Sequence, residues 1–374
     1  MKIAVVGGGP AGLYFAYLWK RQHPAAEIEL FEQNAPDATF GFGVVFSDRA
    51  LDFLRADDPE TVNAIAPHME HWRDMTLVHR GERVVIDGVG FSAIGRLELL
   101  KLLQARAASV GVVPRFGKRI EPTSGLSRFD LVIAADGVNS SLRAAAPDFE
   151  TKTDLFRNKF IWFGTTKPFE TLTQTFITCE YGTLNAHHYR YAPDKSTFII
   201  ECDRETFARA NFENLSEDEN KLLCERLFAE TLDGHKLISN KSVWRDFPWI
   251  WNERWSRGNI VLVGDALHTA HFSIGSGTRL ALEDSIALVK ALDAEPDIPS
   301  ALARYESERK PVVEKIVKAS KTSAAWYENF PQHMKLDPID FGMSYITRSG
   351  RIDDARLHKM SPRFMARYET AHRR

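Results

Sequence analysis

Met1-Lys2-Ile3-Ala4-Val5-Val6-Gly7-Gly8-Gly9-Pro10-Ala11-Gly12 opens the chain, and Leu13-Tyr14-Phe15-Ala16-Tyr17-Leu18-Trp19 follows without a break. Ile3 to Val6 is a short, apolar, partly β-branched run, which reads as a buried strand. The glycines then fall as Gly7-x-Gly9-x-x-Gly12, and the apolar residues after them read as a helix. Gly7 permits the tight turn, Gly9 lets a pyrophosphate approach the backbone, and Gly12 lets helix and strand pack closely. Pro10 and Ala11 complete the turn at the helix N-terminus, whose free N–H groups and positive dipole end suit phosphates.

A bare glycine pattern of this kind is a weak signal, because glycine-rich turns are common. Here a second strand, Ile28-Glu29-Leu30-Phe31-Glu32, ends in a carboxylate twenty residues past Gly12. That is the place for an acid that accepts hydrogen bonds from ribose hydroxyls. Gln33 beside it is assigned to the same site. A carboxylate there repels a 2′-phosphate, so the resident nucleotide is expected to be FAD or NAD rather than NADP.

The chain has 374 residues, 44% of them hydrophobic, enough for one large domain or two interleaved ones. A formal net charge of −2 speaks against a nucleic-acid partner and against a basic membrane-binding surface. No apolar stretch approaches a membrane span. The first residues read as a core strand rather than a signal peptide, so a cytoplasmic location is expected. Cys179, Cys202 and Cys224 form no CxxC pair, so no metal and no dithiol chemistry is expected.

Further along, Gly41-Phe42-Gly43-Val44-Val45-Phe46 alternates glycine with bulky apolar residues. The pattern suggests backbone passing close to something flat, with Gly43, Val44 and Val45 beside a cofactor ring, or an ordinary strand edge. Asp48 to Ala66 reads as helical. Arg96 opens a helix running to about Val110, where it faces a phosphate or the solvent. Val112 to Phe116 reads as a short strand. Phe129 to Ala135 is a continuous apolar run ending in Asp136-Gly137, and Asn259 to Val263 is another ending in Gly264-Asp265. In doubly wound sheets, ligands gather at such carboxyl ends. Phe160–Thr165, Thr173–Glu180, Ala186–Tyr191 and Ser196–Glu201 read as consecutive antiparallel strands. Ser216 to Glu230, Thr278 to Ala291 and Pro299 to Ala325 read as helices. The tail after Asp337 is polar and basic, with Arg348, Arg351, Arg356, Arg363, Arg367, Arg373 and Arg374, and either docks as helices or frays.

Together the three loops, Gly7 to Gly12, Asp136-Gly137-x-x-Ser140-x-x-Arg143 and Gly264-Asp265, resemble the single-component FAD-dependent aromatic hydroxylases, the para-hydroxybenzoate hydroxylase family, over residues 1 to 325. The resemblance implies an α/β (α+β) fold: a Rossmann-like FAD-binding domain interleaved with an antiparallel β-sheet substrate domain and followed by a C-terminal helical region. The expected division is 1–74, 92–158 and 256–295 for FAD, 75–91 and 159–255 for substrate, and 296–374 for the helical region. It further implies that Asp265 binds ribitol hydroxyls and that Gly275, Gly277 and Thr278 lie near the flavin pyrimidine edge. There a helix N-terminus stabilises the reduced anionic ring. NADH or NADPH would be a transient reductant, and a flavin C4a-hydroperoxide formed from O2 would hydroxylate an electron-rich aromatic ring.

The chain departs from the family where His271-Phe272 replaces two prolines, Ser276 replaces glutamine and Arg279 replaces asparagine. These departures, with Gly41 to Arg49 and Gly264 to Gly277, resemble the salicylyl-CoA and anthraniloyl-CoA 5-hydroxylases. Arg157 to Thr165 resembles the tryptophan hydroxylase of violacein biosynthesis. The implied partner is a small aromatic molecule, an aryl-CoA thioester first and a tryptophan-type aromatic second, on a monomer or homodimer. A flavin reductase on the same scaffold, without hydroxylation, is the rival activity. His271, Phe272 and Gly275 are the expected catalytic-loop residues. Phe46, Trp162, His187, His188 and Arg190 are the expected substrate contacts, although a histidine on a strand is more often packed core.

Overall fold

The computed structural model describes every residue except 48–50, 123–124 and 374; Asp48, Arg49 and Arg374 therefore lie outside the described residues. Lys2–Val6 lies inside a five-stranded sheet, between Glu27–Phe31 and Leu131–Ala134, with Ile260–Leu262 beyond and Ser256–Arg257 at the edge. The pairings are parallel up to that antiparallel edge strand. Their register explains why the motifs converge. Val6 pairs with Phe31 on one side and Ala134 on the other, and Ala134 pairs with Leu262. The four strands thus end in one row, and the glycine turn, Glu32, Asp136 and Gly264 all leave the sheet at the same edge.

Parallel strands covered on both faces need near-continuous apolar sequence. Ile3, Ala4, Val5, Leu131, Val132, Ile133, Val261 and Leu262 meet that need, and all are fully buried. The helices Pro10–Gln22 and Gly277–Ala294 pack on this sheet and on each other.

The second sheet runs in the order Leu237–Ile238, Thr151–Thr165, Lys195–Cys202, Gly182–Ala192, Leu172–Cys179, Met75–His79, Glu82–Ile86. Arg245–Asn252 adds a ribbon on the outer half of Thr151–Thr165. That long strand begins nine residues before Phe160, because Thr151 to Leu155 find partners in Asn252 to Pro248. Strand alternation sorts the sheet's two faces. Ile161, Phe163, Ala186, Phe198 and Ile200 point into a core shared with Phe212, Cys224 and Phe228. Asn158, Phe160, Trp162, Gln174, Asn185, His187, Ile199 and Glu201 point the other way, in register across four strands.

Two expectations are corrected. Val112 to Phe116 forms no strand; only Arg115 bridges to Phe31, since Pro114 has no N–H to continue a ladder. Within the expected helical segment from Asp48 to Ala66, the described residues form two α-helices, Asp52–Asp57 and Pro59–Ile65, broken where Asp58 caps the second and Pro59 starts it. The expected capped helix after Ser216 is Glu217–Leu227, closed by a reciprocal Ser216–Glu219 capping box. The basic tail docks as Pro338–Thr347, Asp354–Met360 and Pro362–His372, burying Phe341, Tyr345, Ile346, Leu357, Phe364 and Met365 against the second sheet, which is mixed rather than wholly antiparallel because Leu172–Cys179 pairs in parallel with Met75–His79. Among the described residues no helix is long and apolar enough to cross a membrane.

Candidate active site

Each glycine of the first turn meets a different demand. Gly7 has φ +111°, and a Cβ there would strike the Ala135 carbonyl. A Cβ on Gly12 would strike the Gly7 carbonyl. Gly9 has nothing within 4 Å of where a Cβ would stand, so its open side faces a cleft. Gly8, Gly9, Pro10, Glu32, Asn34, Arg96, Leu100 and Gln104 are among the residues lining that cleft. Glu32 Oε2 accepts from Gly8 N at 2.7 Å, and Oε1 accepts from Asn34 N and Nδ2 at 2.8 and 2.7 Å. Gln33 is exposed and does not line the cleft; Asn34, which the sequence reading passed over, does.

The Arg96 backbone N–H donates to Phe42 O at 2.7 Å, but its guanidinium makes no hydrogen bond among the described residues. Burial pushes its guanidinium below its ordinary value, and the Asp265 carboxylate pulls the other way. The Asp265 carboxylate likewise makes no hydrogen bond among the described residues. The surrounding protein raises its carboxyl, while Arg96 and His268 oppose the rise. The Arg96 and Asp265 charges therefore act on each other, and neither side chain makes a hydrogen bond among the described residues.

The second motif is built into the protein on one side and open on the other. Asp136 Oδ2 accepts from Ser141 N at 2.8 Å, whereas Oδ1 is buried without a partner. Gly137 takes φ +79°. Ser140 caps the next turn by accepting from Arg143 N at 3.0 Å. The Arg143 side chain donates to Val138 O at 2.6 Å and across to Ala266 O at 3.0 Å. This ties the second loop to the third.

At the third motif, a Cβ on Gly264 would stand 3.2 Å from Ala11 Cβ, which shows how closely the first and third loops pack. Behind them lies a buried charge network that the sequence did not announce. His268 Nε2 lies 2.9 Å from Asp284 Oδ2, which also accepts from Gly264 N at 3.1 Å. Asp284 Oδ1 accepts from Arg309 Nε at 2.9 Å. Downstream, Gly275 takes φ +61° and abuts Val45; Gly277 and Thr278 begin an eighteen-residue helix.

His271 and Phe272 bring this loop against the second sheet. The His271 ring stacks on Phe272, with centroids 4.3 Å apart, and meets Phe156 and Phe247 edge-on at 5.0 Å. Phe272 lies 5.2 Å from Phe160. Burial, helped by the Arg348 charge, lowers His271 to about 3 and His187 to about 3, so both are neutral at ordinary pH. Four half-buried phenylalanines and two neutral imidazoles thus stand beside the third loop.

The inner face of the sheet carries an unusual set of unsatisfied groups, since most buried polar atoms are hydrogen-bonded. Gln174 Nε2 and Oε1, Asn185 Oδ1, His187 Nε2 and Glu201 Oε2 are buried without partners. Gln174 pairs in register with His187, and Asn185 with Glu201, so the four are contiguous. Glu201 Oε1 accepts from Asn158 Nδ2 at 2.8 Å, and the same Nδ2 donates to Tyr327 O at 2.9 Å. Burial, reinforced by Glu328, raises the Glu201 carboxyl to about 8. Of this set only His187 is among the expected substrate contacts. The others sit at every second position of strands already recognised, and that alternation was the available signal.

Several expected site residues stand elsewhere. Phe46 is 1% exposed and belongs to the main core, because it points inward from the edge strand Gly43–Ser47. His188 faces the opposite side of the sheet from His187, packed on Phe169 and Phe198 and bonded to Thr175 Oγ1 at 2.9 Å. Arg190 is engaged by Glu70 at 2.6 Å, fastening the small sheet to the large one. The Trp162 indole packs against Gly41, its carbons 3.0 Å from where a Cβ would be. Gly43 is occupied on both sides, donating to Thr197 Oγ1 and accepting from Tyr189 Oη. Val44 points into the main core, which leaves Val45 as the member of that strand touching the third loop.

Residues 1–320 match the FAD binding domain family. The chain is 42% identical to a salicyloyl-CoA 5-hydroxylase of Streptomyces sp, covering 93% of this chain and 70% of that one. It is 38% identical to a 3-hydroxy-4-methyl-anthranilyl-[aryl-carrier protein] 5-monooxygenase of Streptosporangium sibiricum, covering 88% and 90%. It is 34% identical to the protodeoxyviolaceinate monooxygenase of Chromobacterium violaceum, covering 93% and 94%. Its fold is similar to 2-methyl-3-hydroxypyridine-5-carboxylic acid oxygenase, with TM-score 0.72 and 16% identity over 96% of this chain and 95% of that one. Three ligand loops on one sheet edge, an aromatic face opposite them and these relatives lead to one conclusion: the chain belongs to the FAD binding domain family and is an FAD-dependent aromatic monooxygenase.

Proposed function

We propose that this chain hydroxylates an aromatic ring presented as a thioester, with salicylyl-CoA or anthraniloyl-CoA at ring position 5 the leading substrates. The observation that carries this reading is the 42% identity to a salicyloyl-CoA 5-hydroxylase, seconded by a relative named for an aryl-carrier-protein substrate. FAD suits this region, because Gly9 leaves open space and Asp136 Oδ1 and the Arg96 and Asp265 side chains make no hydrogen bonds among the described residues. In this reading Gly9 and the helix beginning at Pro10 face the pyrophosphate, Glu32 the adenosine ribose, Arg96 a phosphate and Asp265 the ribitol hydroxyls. Bound FAD, reduced by NAD(P)H, supplies the oxygen-activating chemistry.

The chain's own residues then have three tasks. Phe156, Phe160, Phe247 and Phe272 wall the ring and exclude water. Neutral His187 and His271 offer hydrogen bonds without adding charge. The helix N-terminus at Gly277 and Thr278 stabilises negative charge on the flavin edge. A second reading, hydroxylation of a free tryptophan-type aromatic, draws on the 34% identity to the protodeoxyviolaceinate monooxygenase.

NADH oxidation and product formation, measured across aryl-CoA thioesters, free aryl acids and tryptophan derivatives, test the proposal. Tight coupling with an aryl-CoA supports it. Tight coupling with free acids or tryptophan alone, thioesters being inert, overturns it in favour of the second reading. Oxidation with no oxygenated product from any of them points instead to a reductase.

A further inference from the structure

Arg190, Arg279 and the arginines from Arg348 onward are indistinguishable in sequence as holders of an anionic tail. The structure separates them. Arg190 is paired with Glu70. Arg348 donates to Ser323 Oγ, Tyr345 O and Ser273 O at 2.8–3.0 Å and lies over the Tyr345 ring. Arg363 is held by Asp74 and Asp87, and Arg373 by Glu369. Arg367 is exposed on Pro362–His372 and has no ion pair among the described residues.

Arg351 differs from all of these. Its guanidinium has no hydrogen bond or ion pair among the described residues, and the charges that act on it are two further arginines, Arg279 and Arg356. Arg356 Nη1 donates to Arg351 O at 3.3 Å, which fixes those two side by side. Arg279 lies with its guanidinium 5.5 Å from the Phe53 ring centroid, and Glu283 Oε1 accepts from its Nε at 2.7 Å. The other Glu283 oxygen is paired with Arg309 at 2.8 Å. The three cations are therefore matched by part of one carboxylate.

The cluster also has a defined place. Arg279 is in the first turn of Gly277–Ala294, and the bond from Arg348 Nη2 to Ser273 O clips the 348–351 segment to the loop that carries His271 and Phe272. The helix's positive end adds to the charge of Arg279 in its first turn. Three like charges sharing part of one carboxylate, beside the loop that carries His271 and Phe272, mark the place of an anion.

We propose that Arg279, Arg351 and Arg356 form a phosphate-binding subsite at the rim of the aromatic site, taking a pyrophosphate or phosphomonoester carried on an adenosine-containing tail. Two molecules bring that chemistry: the coenzyme A part of the substrate, a source that rests on the thioester reading above, and the nicotinamide dinucleotide. Guanidinium forks suit phosphate oxygens bidentately, and a tail too large for a closed pocket has to leave across such a rim.

Arg351→Glu and the double variant Arg351→Glu/Arg356→Glu test this in the holoenzyme, since both positions are exposed and their side chains hold no buried element together. KM is measured for an aryl-CoA thioester, for the N-acetylcysteamine thioester of the same acid, which lacks phosphate, and for NADH. FAD content is measured alongside. For the coenzyme A source, KM for the aryl-CoA rises about tenfold or more while KM for the short thioester is unchanged. For the dinucleotide source, KM for NADH rises by a similar factor and both thioesters are unaffected. Unchanged values for both, or changes that merely track lost FAD, overturn the subsite. If the wild-type enzyme accepts no thioester, the thioester reading fails alone. Calorimetric titration with coenzyme A and with NADH then decides the subsite: weaker binding to the variants supports it, and equal binding to wild type and variants overturns it.

Discussion

His268 Nε2 lies 2.9 Å from Asp284 Oδ2, and the same carboxylate oxygen accepts the backbone N–H of Gly264 at 3.1 Å. One buried acid on a helix therefore holds both ends of the turn that presents Asp265. Burial pushes the Asp284 carboxyl up, but His268 and Arg309 outweigh it and leave it below its ordinary value. Asp284→Ala strands Arg309 and His268 in the interior. Removing one partner of a buried pair costs about 3–5 kcal/mol. The expected result is a large fall in Tm together with loss of FAD, read by thermal denaturation and the flavin absorbance. Asp284 is ionised when folded, so its contribution is present above the unfolded-state pKa and lost as pH falls through the folded value.

Gly9→Val separates cofactor binding from folding. Gly9 has φ −78° and nothing within 4 Å of its absent Cβ, so the apoprotein accommodates valine. The variant should melt with the wild-type apoprotein yet purify without flavin. Full flavin occupancy would show that the pyrophosphate does not cross this turn.

Asp265→Ala removes a carboxylate that makes no hydrogen bond among the described residues, so the fold should be unaffected. Losing a hydrogen bond to a charged group costs about 1.5–3 kcal/mol. FAD affinity should therefore drop by about tenfold or more, measured by titrating apoprotein with FAD. An unchanged dissociation constant would remove Asp265 from the cofactor site.

Gln174→Met tests whether the unsatisfied face of the sheet exists for substrate. Gln174 is 0% exposed and both its amide atoms lack partners. Replacing an unsatisfied buried amide with an apolar side chain of similar shape relieves a penalty of about 1–3 kcal/mol. The variant should melt higher than wild type and yet hydroxylate with poorer coupling, more NADH being consumed per product. A higher Tm with unchanged coupling would make Gln174 a structural residue only.

Glu201 and the two imidazoles tilt stability in opposite directions with pH. Folded Glu201 keeps its proton up to about 8, while an unfolded glutamate releases it near 4.5, so stability is lost as pH rises from 4.5 towards 8. Folded His187 and His271 resist protonation down to about 3, while unfolded histidine takes a proton near 6.5, so stability is lost as pH falls below 6.5. Glu201→Gln should flatten the alkaline limb of a Tm-against-pH curve and leave the acid limb in place. A parallel curve would show that Glu201 is ionised in the folded protein.

Residues close in sequence determined much of this protein. The glycine turn from Gly7 to Gly12, the acid at Glu32 and the apolar runs ending at Asp136 and Gly264 were legible because a strand, its turn and the next helix are local events. Each leaves its own periodicity and spacing. The same holds for the Ser216 cap and for the antiparallel strands.

Only the tertiary structure decided which way side chains face and what they meet. Neighbouring His187 and His188 look alike in sequence, but one faces the third loop and the other the hydrophobic core, because successive residues of a strand point to opposite faces. Gly41 stands in a stretch read as passing close to something flat, and the Trp162 indole, from a strand far along the chain, packs against it. Arg190 and Arg351 are equivalent letters until Glu70 is found beside one and two arginines beside the other. Charge pairing and burial depend on residues brought together from distant parts of the chain, and no local pattern records that approach.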